Sequence, residues 1–181
     1  MVGPGLVGRG ALGWGMGPSV TDPRSHRRSG TMGDMAHSPA EQTPRIAVVG
    51  AAIVDDLHRP TRLLAARRTE PPALAGGWEF PGGKVDPGEG EIEALHREVR
   101  EELGVEVALG EEITGPLPDG RWPLGGGYAI RVVLAAVTAG DPQPLEDHDA
   151  LRWLGADELG SVPWLPADEP IVAVVRSRLS L

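Results

Sequence analysis

Apolar and polar positions divide the chain near residue 45. Upstream, Gly and Pro recur from Gly3 and Pro4 to Pro39 and Pro44, and Trp14 is the sole aromatic. Such a stretch cannot bury enough apolar surface to offset its chain entropy, so residues 1–44 are expected to be a disordered extension. Met32 and Met35, just before the first long apolar run, are alternative starts. That run, Ile46–Val54, is nearly continuous, as expected of a strand covered on both faces. A polar turn at 55–61, a second strand at 63–66 and a Pro/Gly-rich loop at 71–77 follow. Over Glu91–Leu103, the residues Ile92, Leu95, Val99 and Leu103 recur at helical spacing, and Gly104 supplies the stop. Strand patterns return at 105–109, 128–137 and 151–154, with a turn at Asp119–Gly120. A last helix is expected over 168–179, with Asp168 as N-cap and Ile171, Val174 and Val175 on its buried side. Strands alternating with helices predict an α/β layered domain from residue 45 to 181, without internal repeats.

Composition narrows the functional classes. Hydrophobic residues make up 40% and charged residues 24% of the 181, the balance of a globular chain. The net charge of -9 argues against direct binding to nucleic acid, whose phosphates would repel it. If the substrate is a small anion, a metal or local cations must carry the contact. There is no cysteine, so disulfides, thiolate metal sites and cysteine nucleophiles are excluded, and a cytoplasmic location is expected. No apolar run approaches the roughly 20 residues of a membrane span. Oligomeric state is not legible.

The expected helix 91–103 is dense in carboxylates. Glu98, Glu101 and Glu102 are three and four apart and project from one side. On a bare helix such like charges repel; a divalent cation reverses the sign, because hard cations take carboxylate oxygens and complete their shell with waters and phosphates. The competing reading is a solvated acidic face laced by Glu93–Arg97 and Arg97–Glu101 pairs. The preceding loop favours the metal platform: Gly82 and Gly83 let backbone approach a ligand, and Lys84 is a phosphate partner.

The run Gly83-x5-Glu89-x7-Arg97-Glu98-Val99-x-Glu101-Glu102-x-Gly104-Val105 matches the Nudix box at every specified position. From there the chain resembles the Nudix hydrolases from residue 45 to 179. Trp78–Lys84 and the run 166–170 resemble the MutT-like branch of nucleoside triphosphate pyrophosphohydrolases. The resemblance implies an α/β/α sandwich with a mixed sheet. It also implies magnesium, or manganese, on Glu98, Glu101, Glu102 and the Gly82 carbonyl, with Glu98 orienting or deprotonating water. Arg97 and Glu89 would brace the glutamates, and Gly83 and Gly104 would be structural. Asp147, beside Glu146, is expected to add a further acidic ligand or catalytic base, and Arg68 to reach the substrate phosphates. The implied reaction is water attack on the β-phosphorus of a (deoxy)nucleoside triphosphate, releasing monophosphate and pyrophosphate, with a role in nucleotide-pool sanitation. Competing functions are a nucleoside diphosphate-sugar pyrophosphatase of the ADP-ribose type and a non-catalytic nucleotide sensor; the intact glutamates count against the sensor.

Base choice rests on fewer residues. Phe80 is a candidate stacking surface, since every base offers a π face. Asp168 stands where this branch places a base-facing residue. An ionised carboxylate only accepts, which suits cytosine N4, while a rotated guanine keeps 8-oxo-dGTP open. His96 reads as the edge of the helix stripe, and His148 as a loop residue within reach of substrate.

Overall fold

The computed structural model describes residues 46–180. The expected extension 1–44 lies outside the described residues. Strands β1 (Ile46–Val54), β2 (Arg62–Arg68), β3 (Trp78–Glu79) and β4 (Gly82–Lys84) precede helix α1 (Glu91–Leu103). Then come β5 (Glu106–Glu112), β6 (Trp122–Gly125), β7 (Tyr128–Ala139), β8 (His148–Gly155) and helix α2 (Glu169–Arg176).

The strands form one mixed sheet ordered β3-β2-β1-β7-β5, with β4 on β1, β6 on β7 and β8 on β2. The central pair, β1 and β7, is parallel from Ile46↔Tyr128 to Val54↔Ala136; the other pairings are antiparallel. The unbroken apolar run of β1 follows from its position. Val49, Ala51 and Ile53 face α1 with Leu64, Val133 and Ala135, while Ala52 and Val54 face α2 with Leu63, Ala65 and Val132. Because side chains alternate along a strand, a strand covered on both sides must be apolar at every position. The result is the three-layer α/β/α sandwich that was expected.

Helix α1 packs through Ala94, Leu95, Val99 and Leu103, all fully buried. Burying each of the larger three contributes about 1.5–3 kcal/mol. Ile92, expected on that stripe, is 47% exposed; it points the same way as Val99 and Leu103 but sits in the first turn of the helix. The first turn is fixed electrostatically instead. Glu91 accepts from Arg131 Nη1 on β7 at 2.6 Å and pairs with Arg121. Gly104 ends the helix in the left-handed region, its N–H donating to the Arg100 carbonyl.

On the other face, Phe80, Trp78, Trp122 and Trp164 join Ile171, Val172 and Val175 of α2. The indole N–H groups of Trp122 and Trp164 donate to the carbonyls of Ile113 and Leu159, so both rings are buried with their polar atoms satisfied. Strands β3 and β4 fall within a run that reads as loop, because each is two or three residues long and held by pairing to β2 and β1 rather than by its own pattern.

Candidate active site

Antiparallel pairing of β4 with β1 lays Gly82 opposite Gly50 and Gly83 opposite Val49. Both β4 glycines are demanded by close approach. Gly82 has φ +150°, and a Cβ there would fall 2.1 Å from the Val49 carbonyl oxygen. At Gly83 an added Cβ would meet the Glu98 carboxyl at 2.4 Å. Glu98 is thus pressed flat on the β4 backbone from α1. One turn on, Glu102 reaches the same strand, its Oε2 accepting the Gly82 N–H at 2.8 Å. The sequence places Glu102 on the polar side of the helix; in the fold it is only 6% exposed, because β4 and the segment before β8 close over it.

Arg97 organises the rest. Its Nε and Nη2 donate to the two Glu89 oxygens at 2.9 and 3.0 Å, and Nη1 donates to Glu98 at 2.8 Å and Glu101 at 3.1 Å. A further bond runs to the Lys84 carbonyl. The Glu93–Arg97 pair of the solvated-face reading does not form, since Glu93 accepts the Gly90 N–H instead. Arg97 holds Glu89 below the usual carboxylate range. Burial pushes Glu98 up, against the pull of Arg97, and pushes Glu102 well up, with only the Gly82 N–H and the more distant Arg68 opposing it.

Among the described residues, no three His, Asp or Glu side chains are gathered closely enough to hold an ion. The donor set nonetheless suits a hard divalent cation. Two carboxyls, half-buried Glu98 and buried Glu102, flank a glycine pair; Glu101, half exposed, stands beside them.

The loop before β8 separates two acids that are neighbours in sequence. Asp147, expected as the added acid, is turned toward Arg68, with Oδ2 3.8 Å from Nη2. The acid whose charge is felt by Glu98 is Glu146, held at φ 46°, a backbone conformation uncommon for residues other than glycine. Positive φ on a bulky residue is often retained at functional positions. Arg68 itself, expected at the substrate phosphates, is engaged: Nη1 donates to both Glu79 oxygens at 2.7 and 3.0 Å, and Nε donates to the Glu70 carbonyl. Lys84 is exposed, its ammonium 5.4 Å from the centre of the Tyr128 ring.

Phe80 is 3% exposed, its ring 5.5 Å from that of Trp164. Asp168 occupies the N-cap position of α2, yet its side chain makes no capping bond. Instead it is buried and interacts with the Phe80 N–H, and burial, reinforced by the Glu79 charge, pushes it up to about 8. Glu79 was not singled out in the sequence, although a lone acid between Trp78 and Phe80 in a buried motif was a signal. His148, read as within reach of substrate, has a wholly buried side chain, 3.0 Å from Glu79.

Among known proteins, the NUDIX domain model matches residues 44–175. The chain is 43% identical over 129 residues to "Putative 8-oxo-dGTP diphosphatase 2" of Mycobacterium tuberculosis, covering 70% of this chain and 84% of that protein. It is 36% identical over 124 residues to the CTP pyrophosphohydrolase of Escherichia coli K12, covering 68% and 87%. The solution structure of the E. coli ORF135 protein superposes with a TM-score of 0.59 at 34% identity, covering 77% of this chain and 94% of that one. Together with the complete box folded around Arg97, these matches establish that the chain belongs to the Nudix family of hydrolases.

Proposed function

We propose that this protein hydrolyses (deoxy)nucleoside triphosphates to the monophosphate and pyrophosphate, using magnesium and acting on the cytoplasmic nucleotide pool. One observation carries the reading: half-buried Glu98 and buried Glu102 are held against the Gly82–Gly83 backbone by a helix that Arg97 ties to the loop before it. Glu98, Glu101, Glu102 and the Gly82 carbonyl would hold the cation. The cation supplies charge neutralisation and a bound water of lowered pKa.

The chain's own residues do the positioning. Arg97 fixes Glu98 and Glu101 relative to Glu89, so the reacting groups meet in one orientation. Glu98 takes the water proton. Glu146, with Asp147 behind it, adds an acid on the open side of the cluster. Lys84 stands at the phosphate chain, and Arg68 adds charge from within. Phe80 and Trp164 form the wall of the base site, and Asp168 reads the base edge. At neutral pH Asp168 is largely protonated, so it both donates and accepts. Base recognition then does not require an acceptor-only aspartate, and the reading takes oxidised guanine and cytosine triphosphates alike as substrates.

The test is purified protein with magnesium and 8-oxo-dGTP, dCTP, CTP and ADP-ribose, in water labelled with heavy oxygen, the products read by phosphorus NMR. The expected result is pyrophosphate carrying the label, from at least one triphosphate. Orthophosphate as product, label in the monophosphate, or turnover of ADP-ribose alone would overturn the reading.

A further inference from the structure

His148 opens β8 with its ring between two buried carboxylates. On one side Nε2 lies 3.0 Å from Glu79 Oε1. On the other, Nδ1 is buried without a hydrogen-bond partner, and Glu102 Oε2 is 4.0 Å away. An unpartnered buried ring nitrogen is uncommon, because it forfeits the hydrogen bond it had in water.

The backbone shows how the ring comes to stand there. The His148 N–H donates to the Leu145 carbonyl at 3.0 Å, and the Leu145 N–H donates to the Glu102 carbonyl at 2.9 Å, so the turn carrying the histidine hangs from the residue it faces. Across the sheet, a register shift between Arg67 and Arg68 pairs Arg68 with His148, and Arg68 in turn grips Glu79. Glu79 and Glu102 are thus two buried carboxyls facing one ring from opposite sides. An imidazole between them keeps them apart and offers each a nitrogen.

We propose that His148 is a positioning residue for Glu102, anchored by Glu79 at Nε2 and setting the orientation of the Glu102 carboxylate through Nδ1. This rests on the reading above that Glu102 holds a divalent cation. Groups that orient a metal ligand from behind commonly matter to affinity by about 10–100-fold.

Two near-isosteric replacements separate the ring nitrogens. The amide of Asn falls near Nδ1, and that of Gln near Nε2. The experiment measures Mn2+ binding to the full chain by electron paramagnetic resonance without nucleotide, for the parent, His148→Asn, His148→Gln, His148→Leu and Glu102→Gln, with circular dichroism as the folding control. Nucleotide KM and kcat are measured alongside. The expected result is that His148→Gln and His148→Leu weaken Mn2+ by about tenfold or more, that His148→Asn stays near the parent, and that nucleotide KM is unchanged while kcat falls with metal affinity. Retention by His148→Gln with loss in His148→Asn reduces the residue to an anchor for Glu79 and overturns the proposal, as does equal behaviour of the two. Should His148→Leu fail to fold, the Asn and Gln pair decides. If Glu102→Gln binds Mn2+ like the parent, the metal role of Glu102 fails first and the proposal falls with it, a result distinct from a failure at His148 alone.

Discussion

Arg97 and Glu89 are joined by a two-pronged bond, Nε to Oε1 at 2.9 Å and Nη2 to Oε2 at 3.0 Å, which clamps the loop before α1 to the middle of the helix. Only a planar guanidinium can keep both prongs while a third nitrogen position serves Glu98 and Glu101. Arg97→Lys retains the charge and loses the fork. It is expected to lower kcat by about tenfold or more with nucleotide KM little changed, as steady-state kinetics will show. A kcat equal to the parent's would mean that Arg97 does no more than balance charge.

Glu98 and Glu102 are expected to be needed for turnover and dispensable for folding. The double variant Glu98→Gln, Glu102→Gln should lose nearly all activity, because under the proposed function each removed carboxylate is one ligand fewer for the cation. The metal-free double variant should also melt higher than the metal-free parent at pH 8. Both groups are raised in the fold, Glu102 strongly, so ionising them favours the unfolded chain; stability falls as pH climbs from the ordinary carboxylate range toward the folded values, and amides remove that loss. Calorimetry without metal decides the stability half, and a lower melting point at pH 8 would sink it.

Glu146 and Asp147 give a ranking test. Glu146 is felt by Glu98 and Asp147 lies near Arg68, so Glu146→Gln should reduce kcat more than Asp147→Asn does. If the order is reversed, the loop turns over when substrate binds. Its Thr69–Asp147 backbone bond then breaks, and hydrogen exchange at the Thr69 amide would report it.

Asp168 should impose a pH dependence that Asp168→Asn removes. Its folded value is about 8, far above the unfolded value near 3.8. The folded state therefore holds a proton that the unfolded state has lost between those values. Stability is unaffected below the lower value, declines as pH rises between them, and levels off above the upper one. Asp168→Asn should melt like the parent at pH 4 and higher than it at pH 9. Selectivity should follow. Near pH 6.5 a neutral acid and an amide offer similar donors and acceptors, so the ratio of kcat/KM for dCTP and 8-oxo-dGTP should be similar in both proteins. Near pH 9 the ratio should shift in the parent alone, by about tenfold, which needs only about 1.4 kcal/mol of differential binding. Parallel pH profiles for the two proteins would remove Asp168 from base recognition.

The features legible from the order of residues alone are the local ones. The period of Leu95, Val99 and Leu103 marked α1, the unbroken run of β1 marked a strand covered twice, and the box spacing put Glu98, Glu101 and Glu102 on one side of a helix and identified the family. These follow from the fixed geometry of helix and strand, which converts spacing into direction. Which acids are buried, and what they meet, follows from the fold and not from spacing. Glu102 is closed over by a strand and a loop distant in sequence; Arg68 reaches Glu79 across a strand pair; Glu146 and Asp147 part company at one positive φ. His148 becomes a wedge between Glu79 and Glu102 only because β8 pairs with β2 beside the end of α1. Ionisation belongs to the same class. The charge of the Asp168 carboxyl depends on its burial and on Glu79, and neither is written in the residues beside it.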